Sequence, residues 1–285
     1  MASARATSEA PLGPRPNSLG EPEPDSGLLK GKRALVFAAA GSIGAAIARE
    51  FAAQGAEVFM SGRTESNVKT VAGAITAGGG QAHATTLDAV DEAAVGSYVD
   101  GVARDGRIDV VFNAIGPLTR DFGGGKRALD LTADEFMVPL TTVVRSSFVT
   151  ACAAARHMTR QGSGVIMFLT GSPARPHIEG ATAIGAAFAA IENLTRHLAL
   201  ELGPVGVRAV CLRTSAMPDT RTIKDVMRSL SATLNVTDEQ AAQMLASQTV
   251  MQKSPASSET ARVAAFLASD HARTITGIQV MSEIR

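Results

Sequence analysis

The sequence predicts an α/β fold: a doubly wound, seven-stranded parallel sheet with helices on both faces. Three observations carry that prediction. An apolar run, Ala34-Leu35-Val36-Phe37, passes through the small residues Ala38-Ala39-Ala40-Gly41 and opens directly into the Ala-rich pattern from Ser42 to Phe51, which reads as strand, tight turn and helix. Short apolar segments then alternate with Ala-rich periodic ones along the rest of the chain. Crossover helices between strands require a parallel sheet covered on both faces.

After the first strand, the next are expected at Glu57 to Ser61, Ala82 to Leu87, Val110 to Ala114, Val165 to Thr170, Val207 to Leu212 and Ile275 to Met281. Helix starts are signalled at Thr132-Ala133-Asp134-Glu135 and Thr237-Asp238-Glu239-Gln240, where a threonine stands three residues before Glu or Gln as a capping box needs. No internal repeat is visible. The longest connection, 214–258, is expected to hold helices that cover the ligand crevice. Residues 1–28 carry five of the twelve prolines with mixed charge and no apolar core segment, and read as a disordered arm ahead of one domain over 29–285.

Composition narrows the partners. Twenty-seven basic and 27 acidic residues cancel and aromatics are 4% of the chain, which argues against a nucleic-acid surface. No apolar run approaches the length of a membrane span. Cys152 and Cys211 sit in separate apolar segments without metal or disulfide spacing, so they read as core thiols of a reducing, cytoplasmic compartment.

In such a sheet ligands lie beyond the carboxyl ends of the strands. The turn Gly41-Ser42-Ile43-Gly44 can bring backbone N–H groups to a diphosphate at a helix start. The second strand ends in Ser61-Gly62-Arg63, about 20 residues further on, where an NAD site would carry a carboxylate for the ribose diol. An arginine there suits a 2′-phosphate, so the cofactor predicted is NADP. The third strand ends in Asp88-Ala89-Val90-Asp91 and the fourth in Asn113-Ala114-Ile115-Gly116.

With these fragments, Leu194-Thr195-Arg196-His197-Leu198-Ala199 followed by Gly206-Val207-Arg208, and Ile275-Thr276-Gly277 near the end, the chain resembles the short-chain dehydrogenase/reductase family over about residues 30–283. The resemblance implies a Rossmann-type domain, NAD(P) binding, a small-molecule substrate and a homodimer or homotetramer. It implies cofactor contacts from Gly41, Ser42, Ile43, Gly44, Arg63, Asp88, Ala89, Asn113, Ala114 and Gly116. Thr214 and Ser215 take the place of the family's Pro-Gly pair near the nicotinamide. Ala38 and Ser42 stand where the family has its first two turn glycines.

The reaction centre departs from the family. Counting back from Leu194 puts the family's tyrosine and lysine positions at Ile184 and Phe188; counting from Phe136 and Phe148 puts its helix asparagine at Val143, and its serine falls on Gly171 or Ser172, depending on where a one-residue loop difference is placed. The single tyrosine of the chain is Tyr98, between the third and fourth strands. A positioned acid supplies about 10²–10⁴-fold in reducing an ordinary ketone. Candidates for a substitute are Ser172 and His177. The expected activity is therefore NADP(H)-dependent reduction of an activated acceptor, an iminium ion or a conjugated C=C. The alternatives are a cyclase, isomerase or lyase on the same scaffold, with Met217, Met227, Met244 and Met251 lining the cover, and a catalytically silent NADP-binding protein.

Overall fold

A computed structural model describes residues 27–174 and 178–282. Seven parallel strands lie in the order β3-β2-β1-β4-β5-β6-β7: β1 Arg33–Phe37, β2 Glu57–Gly62, β3 Gln81–Thr86, β4 Val110–Asn113, β5 Gly164–Gly171, β6 Val207–Thr214 and β7 Gln279–Ser282. The winding reverses between β1 and β4, where Ala34 pairs Val110 and Phe37 pairs Asn113, so a crevice opens at the carboxyl ends of those two strands.

The central strands read as continuous apolar runs because both faces are covered. Ala34, Val36, Val110, Phe112, Val210 and Leu212 pack under α1 (Ser42–Ala53), α2 (Glu65–Ala77) and α9 (Ser257–Ala268). Leu35, Phe37, Val111, Ile166, Phe168 and Cys211 pack under α3 (Glu92–Arg104), α5 (Ser146–Gln161) and α6 (Thr182–Leu202). Full burial of each such side chain contributes about 1.5–3 kcal/mol.

Both capping boxes form. Thr132 accepts from Glu135 N at the start of α4 (Ala133–Pro139), and Thr237 accepts from Gln240 N at the start of α8 (Asp238–Ser247). The covering segment holds α7 (Arg221–Leu234) and α8, as expected for 214–258.

Three boundaries depart from the sequence reading. The last strand begins at Gln279, not Ile275, because Gly277 has φ +68° and the preceding residues turn onto β6 through Ile275 N to Ala272 O and Gly277 N to Ala209 O. The packed body already includes Gly27 and Leu28, since Leu28 N donates to Gln54 Oε1, whereas the rest of the arm lies outside the described residues. Finally, Ala133–Gln161 runs as one helical stretch of 29 residues that is long and apolar enough to cross a membrane. The sequence expectation of no such run is thereby corrected, because Pro139 does not end the helix. The chain passes it in a π-helical turn, Leu140–Arg145, and Val143, Val149, Ala154 and Met158 bury against the sheet.

Candidate active site

The turn after β1 keeps its special shape without a glycine. Ala38 has φ 57°, a left-handed conformation that glycine adopts at no steric cost and alanine adopts at about 1 kcal/mol. Ala39 N donates to Ser61 O and Gly41 N to Ala38 O, which hold the turn against β2. Gly41 is the N-cap of α1 and carries no side-chain cap. Gly44 is required for packing: a Cβ there would fall on the Ala38 carbonyl. Ile43 packs partly into the core behind the turn.

The other predicted residues gather along the same edge. Arg63 follows β2, exposed, with no hydrogen bond or ion pair among the described residues. Asp88 Oδ1 accepts from Val90 N, Ala89 is buried, and Asp91 caps α3 by accepting from Ala94 N. Asn113 is buried. Its amide donates to Thr150 Oγ1 at 3.1 Å and its oxygen accepts from Ile115 N at 2.9 Å, so the side chain shapes the loop beyond β4 from inside. Ala114 N donates to Phe37 O, and Gly116 has open space where its side chain would be.

At the end of β6, Thr214 Oγ1 donates to Thr170 O. Ser215 is only 7% exposed, and its hydroxyl has no hydrogen-bond partner. A buried hydroxyl without a partner costs free energy until something supplies one. These features fit a dinucleotide: an uncapped helix start for the diphosphate, an unpaired arginine at the ribose end of β2, open space at Gly116 and a waiting hydroxyl at the nicotinamide end.

Around Ile184 and Phe188 the surroundings are apolar. Ile184 and Phe188 lie on the sheet-facing side of α6 and pack on the cluster that contains Val143. A Cβ on Gly171 would meet Phe188 Cε2 at 3.1 Å, and one on Gly185 would meet the Pro173 carbonyl oxygen at 2.8 Å, so the loop after β5 is seated directly on α6. At that seam the Ser172 hydroxyl donates to Thr214 O at 3.4 Å. His177 lies outside the described residues. Tyr98 is far along α3, edge-on to Phe37 at 6.1 Å, with burial pushing its hydroxyl well above the usual tyrosine range.

Beneath this seam Glu192 of α6 and Arg213 of β6 form a buried bidentate ion pair, with Arg213 Nε and Nη2 each 2.5 Å from a Glu192 oxygen. Thr170 adds a donor to Glu192 at 3.4 Å. Above it, Gly125 N donates to Gly180 O, and Lys126 pairs with Glu135 at 2.6 Å. The loops after β4 and β5 therefore close on each other as one rim. Sequence reasoning missed both features, because neither an ion pair between a helix and the strand that follows it nor a contact between two loops leaves a local pattern in the chain.

The fold and this edge are those of a Rossmann-type α/β protein, and the relatives that follow make it an oxidoreductase. A family profile described as enoyl-(acyl carrier protein) reductase matches residues 38–283. The chain is 38% identical over 178 residues to the short-chain reductase protein NovJ of Streptomyces niveus, an alignment spanning 61% of this chain and 64% of that protein. It is 31% identical over 255 residues to the (5R,7aS)-5-hydroxy-7a-methyl-1-oxo-2,3,5,6,7,7a-hexahydro-1H-indene-carboxyl-CoA reductase of Mycobacterium tuberculosis, covering 88% of this chain and 91% of that one. The crystal structure of NAD+-bound xylitol dehydrogenase superposes with a TM-score of 0.82 at 26% identity, over 90% of this chain and 99% of that one. The chain belongs to the short-chain dehydrogenase/reductase family.

Proposed function

We propose that this chain is an NADP(H)-dependent reductase of a small, activated acceptor, an iminium ion or a conjugated C=C. The observation that supports this reading is the contrast between the strand-end edge of Gly41, Arg63, Gly116 and Ser215 and the apolar packing of Gly171, Phe188, Ile184 and Val143, beside which the Ser172 hydroxyl is a donor among the described residues. Gly41, Ser42, Ile43 and Gly44 hold the diphosphate end. Asp88, Ala89, Asn113, Ala114 and Gly116 frame the adenine and ribose side, and Thr214 and Ser215 the nicotinamide side. Arg63 supplies the charge that selects a 2′-phosphate.

Bound there, the reduced nicotinamide would supply hydride. An iminium carbon that accepts it becomes a neutral amine without any proton, and a conjugated alkene that accepts it at the β-carbon leaves an enolate that solvent protonates. Neither requires the acid that Ile184 has replaced. Ser172 can hydrogen-bond a substrate heteroatom by giving up its contact with Thr214. The profile's description as an enoyl reductase supports the alkene arm.

The test is NADPH consumption by the purified chain across ketones, iminium ions and enones. Turnover confined to the last two classes is expected, and turnover of simple ketones at ordinary rates would overturn the reading. Substrate conversion without cofactor oxidation would favour a cyclase, isomerase or lyase, which the apolar centre also suits. Binding without turnover would leave a silent NADP-binding protein. We infer a homodimer or homotetramer from the exposed Phe148 of α5 and Leu200 of α6, 53% and 75% accessible, to be measured by light scattering. The free thiols Cys152 and Cys211 support a reducing, cytoplasmic setting, which fractionation would check.

A further inference from the structure

We propose that the buried Glu192–Arg213 pair is a positioning pair for the reaction: it fixes the ends of β5 and β6 so that Ser172 holds its hydroxyl where the acceptor's oxygen lies. The proposal rests on the reductase reading above and adds to it two residues that act through Ser172 and not by touching the acceptor.

The pair stands among carbon. Glu192 and Arg213 are 3% and 2% exposed, and the core on that side of the sheet is built from side chains such as Phe168, Ala187, Ile191 and Cys211. Taking both charges out of water is costly, and well-packed apolar side chains of similar volume would be as stable or more so. Stability alone therefore gives no reason for an ion pair here. What the pair supplies that carbon would not is direction. Arg213 Nε and Nη2 donate to different oxygens of Glu192, each at 2.5 Å, and such a two-point fork admits one arrangement of α6 against β6.

From the pair a run of hydrogen bonds leads to Ser172. Thr170 Oγ1 donates to Glu192 Oε1 at 3.4 Å, so β5 is tied to the same carboxylate as β6. In the parallel register Thr170 pairs with Arg213 and Gly171 with Thr214, and β5 ends at Gly171. Thr214 Oγ1 donates back to Thr170 O at 3.3 Å, and Thr214 O accepts from Ser172 Oγ at 3.4 Å. Ser172 is thus the first residue beyond a strand end that one carboxylate fastens from below. The same helix seats the loop from the side, with Gly185 against the Pro173 carbonyl and Phe188 against Gly171.

The chemistry that needs this precision is the reduction of a conjugated carbonyl compound. Hydride arriving at the β-carbon pushes the C=C electron pair toward the carbonyl, whose oxygen gains the negative charge of an enolate. A hydroxyl already held at that oxygen stabilises it, and a misplacement of about 1 Å forfeits much of the benefit. Ser172 can turn its O–H from Thr214 O to the enolate without moving its own oxygen. Solvent then protonates the α-carbon, and the serine and the ion pair end as they began.

The experiment is a double-mutant cycle on the full chain with NADPH and an enone: the unmutated protein, Ser172→Ala, Glu192→Met with Arg213→Met, and all three changes together. Ser172→Ala is expected to lower kcat about tenfold. The Met pair should lower kcat about as much, while KM changes little and NADPH affinity by calorimetry stays within about twofold. On the Met-pair background Ser172→Ala should cost less than about twofold, because the hydroxyl is no longer held in place. If the Met pair does not fold, the cycle is run with Thr170→Val, which removes only the hydroxyl linking β5 to Glu192 and should show the same pattern in smaller measure. An equal cost of Ser172→Ala with and without the partner change, or an unchanged kcat in Ser172→Ala or in the Met-pair chain, would overturn the positioning role and leave the reductase reading intact. No turnover of any acceptor by the unmutated chain would remove that reading, and the role of the pair with it.

Discussion

Phe188 presses its ring edge onto Gly171, where any Cβ would stand 3.1 Å from Phe188 Cε2. The contact closes the seam between β5 and α6 with carbon, and we propose that this is where a Tyr and Lys pair would otherwise handle a proton. Replacing both positions, Ile184→Tyr with Phe188→Lys, should raise NADPH-dependent reduction of simple ketones by about 10²-fold over the unmutated chain, the low end for a positioned acid. Steady-state loss of reduced-nicotinamide absorbance measures it. No gain would mean that other features of the site exclude ketones.

Arg63 is the second point of chemistry. Unpaired and exposed after β2, it should make NADPH bind more tightly than NADH, by about tenfold or more for a charge-assisted contact. Arg63→Ala should erase the difference, as read by calorimetry with both cofactors. Equal affinities in the unmutated chain would refute the assignment.

Ala38 stores strain in the nucleotide turn. With φ 57°, its replacement by glycine should stabilise the fold by about 1 kcal/mol, visible as a higher midpoint in denaturant unfolding. A lower midpoint would show that the methyl group contributes more in packing than its conformation costs.

The Glu192–Arg213 pair is buried on both sides, so removing one partner strands a charge. Glu192→Ala should destabilise by about 3–5 kcal/mol, and the double change Glu192→Met with Arg213→Met should recover most of that loss. Equilibrium denaturation of the three proteins separates the cost of an orphaned charge from the value of the pair.

Alkaline stability should follow Cys211. Burial pushes its thiol up to about 12 from an ordinary 9.0, so the folded chain holds that proton while the unfolded chain releases it. The thiol's contribution is fully present below pH 9 and is lost as the pH rises from about 9 to about 12. Cys211→Ala should flatten the fall in unfolding free energy over that interval, and an unchanged slope would exclude the thiol as its source. Tyr98, also held protonated by burial, adds to the same fall above its ordinary value of 10.0.

The sequence by itself determined the sheet, the two boxed helix starts and the tight turn between β1 and α1. Each is written in local signals: apolar runs for strands covered on both faces, a threonine three residues before Glu or Gln, and small residues between a strand and a helix. The path through Pro139 was not legible, because a lost hydrogen bond can end a helix or be absorbed in a π-helical turn, and the packing of Val143 and Val149 onto the sheet decided for the latter. The start of β7 was misplaced because Ile275 is apolar yet belongs to a turn held by Ala209 and Ala272. Only the tertiary structure showed that Ala38 takes a glycine's conformation, that Phe188 fills the seam at Gly171, and that Glu192 meets Arg213. Each is a relation between a backbone shape or side chain and a neighbour brought close by the sheet, and such proximity leaves no trace in the order of residues along the chain.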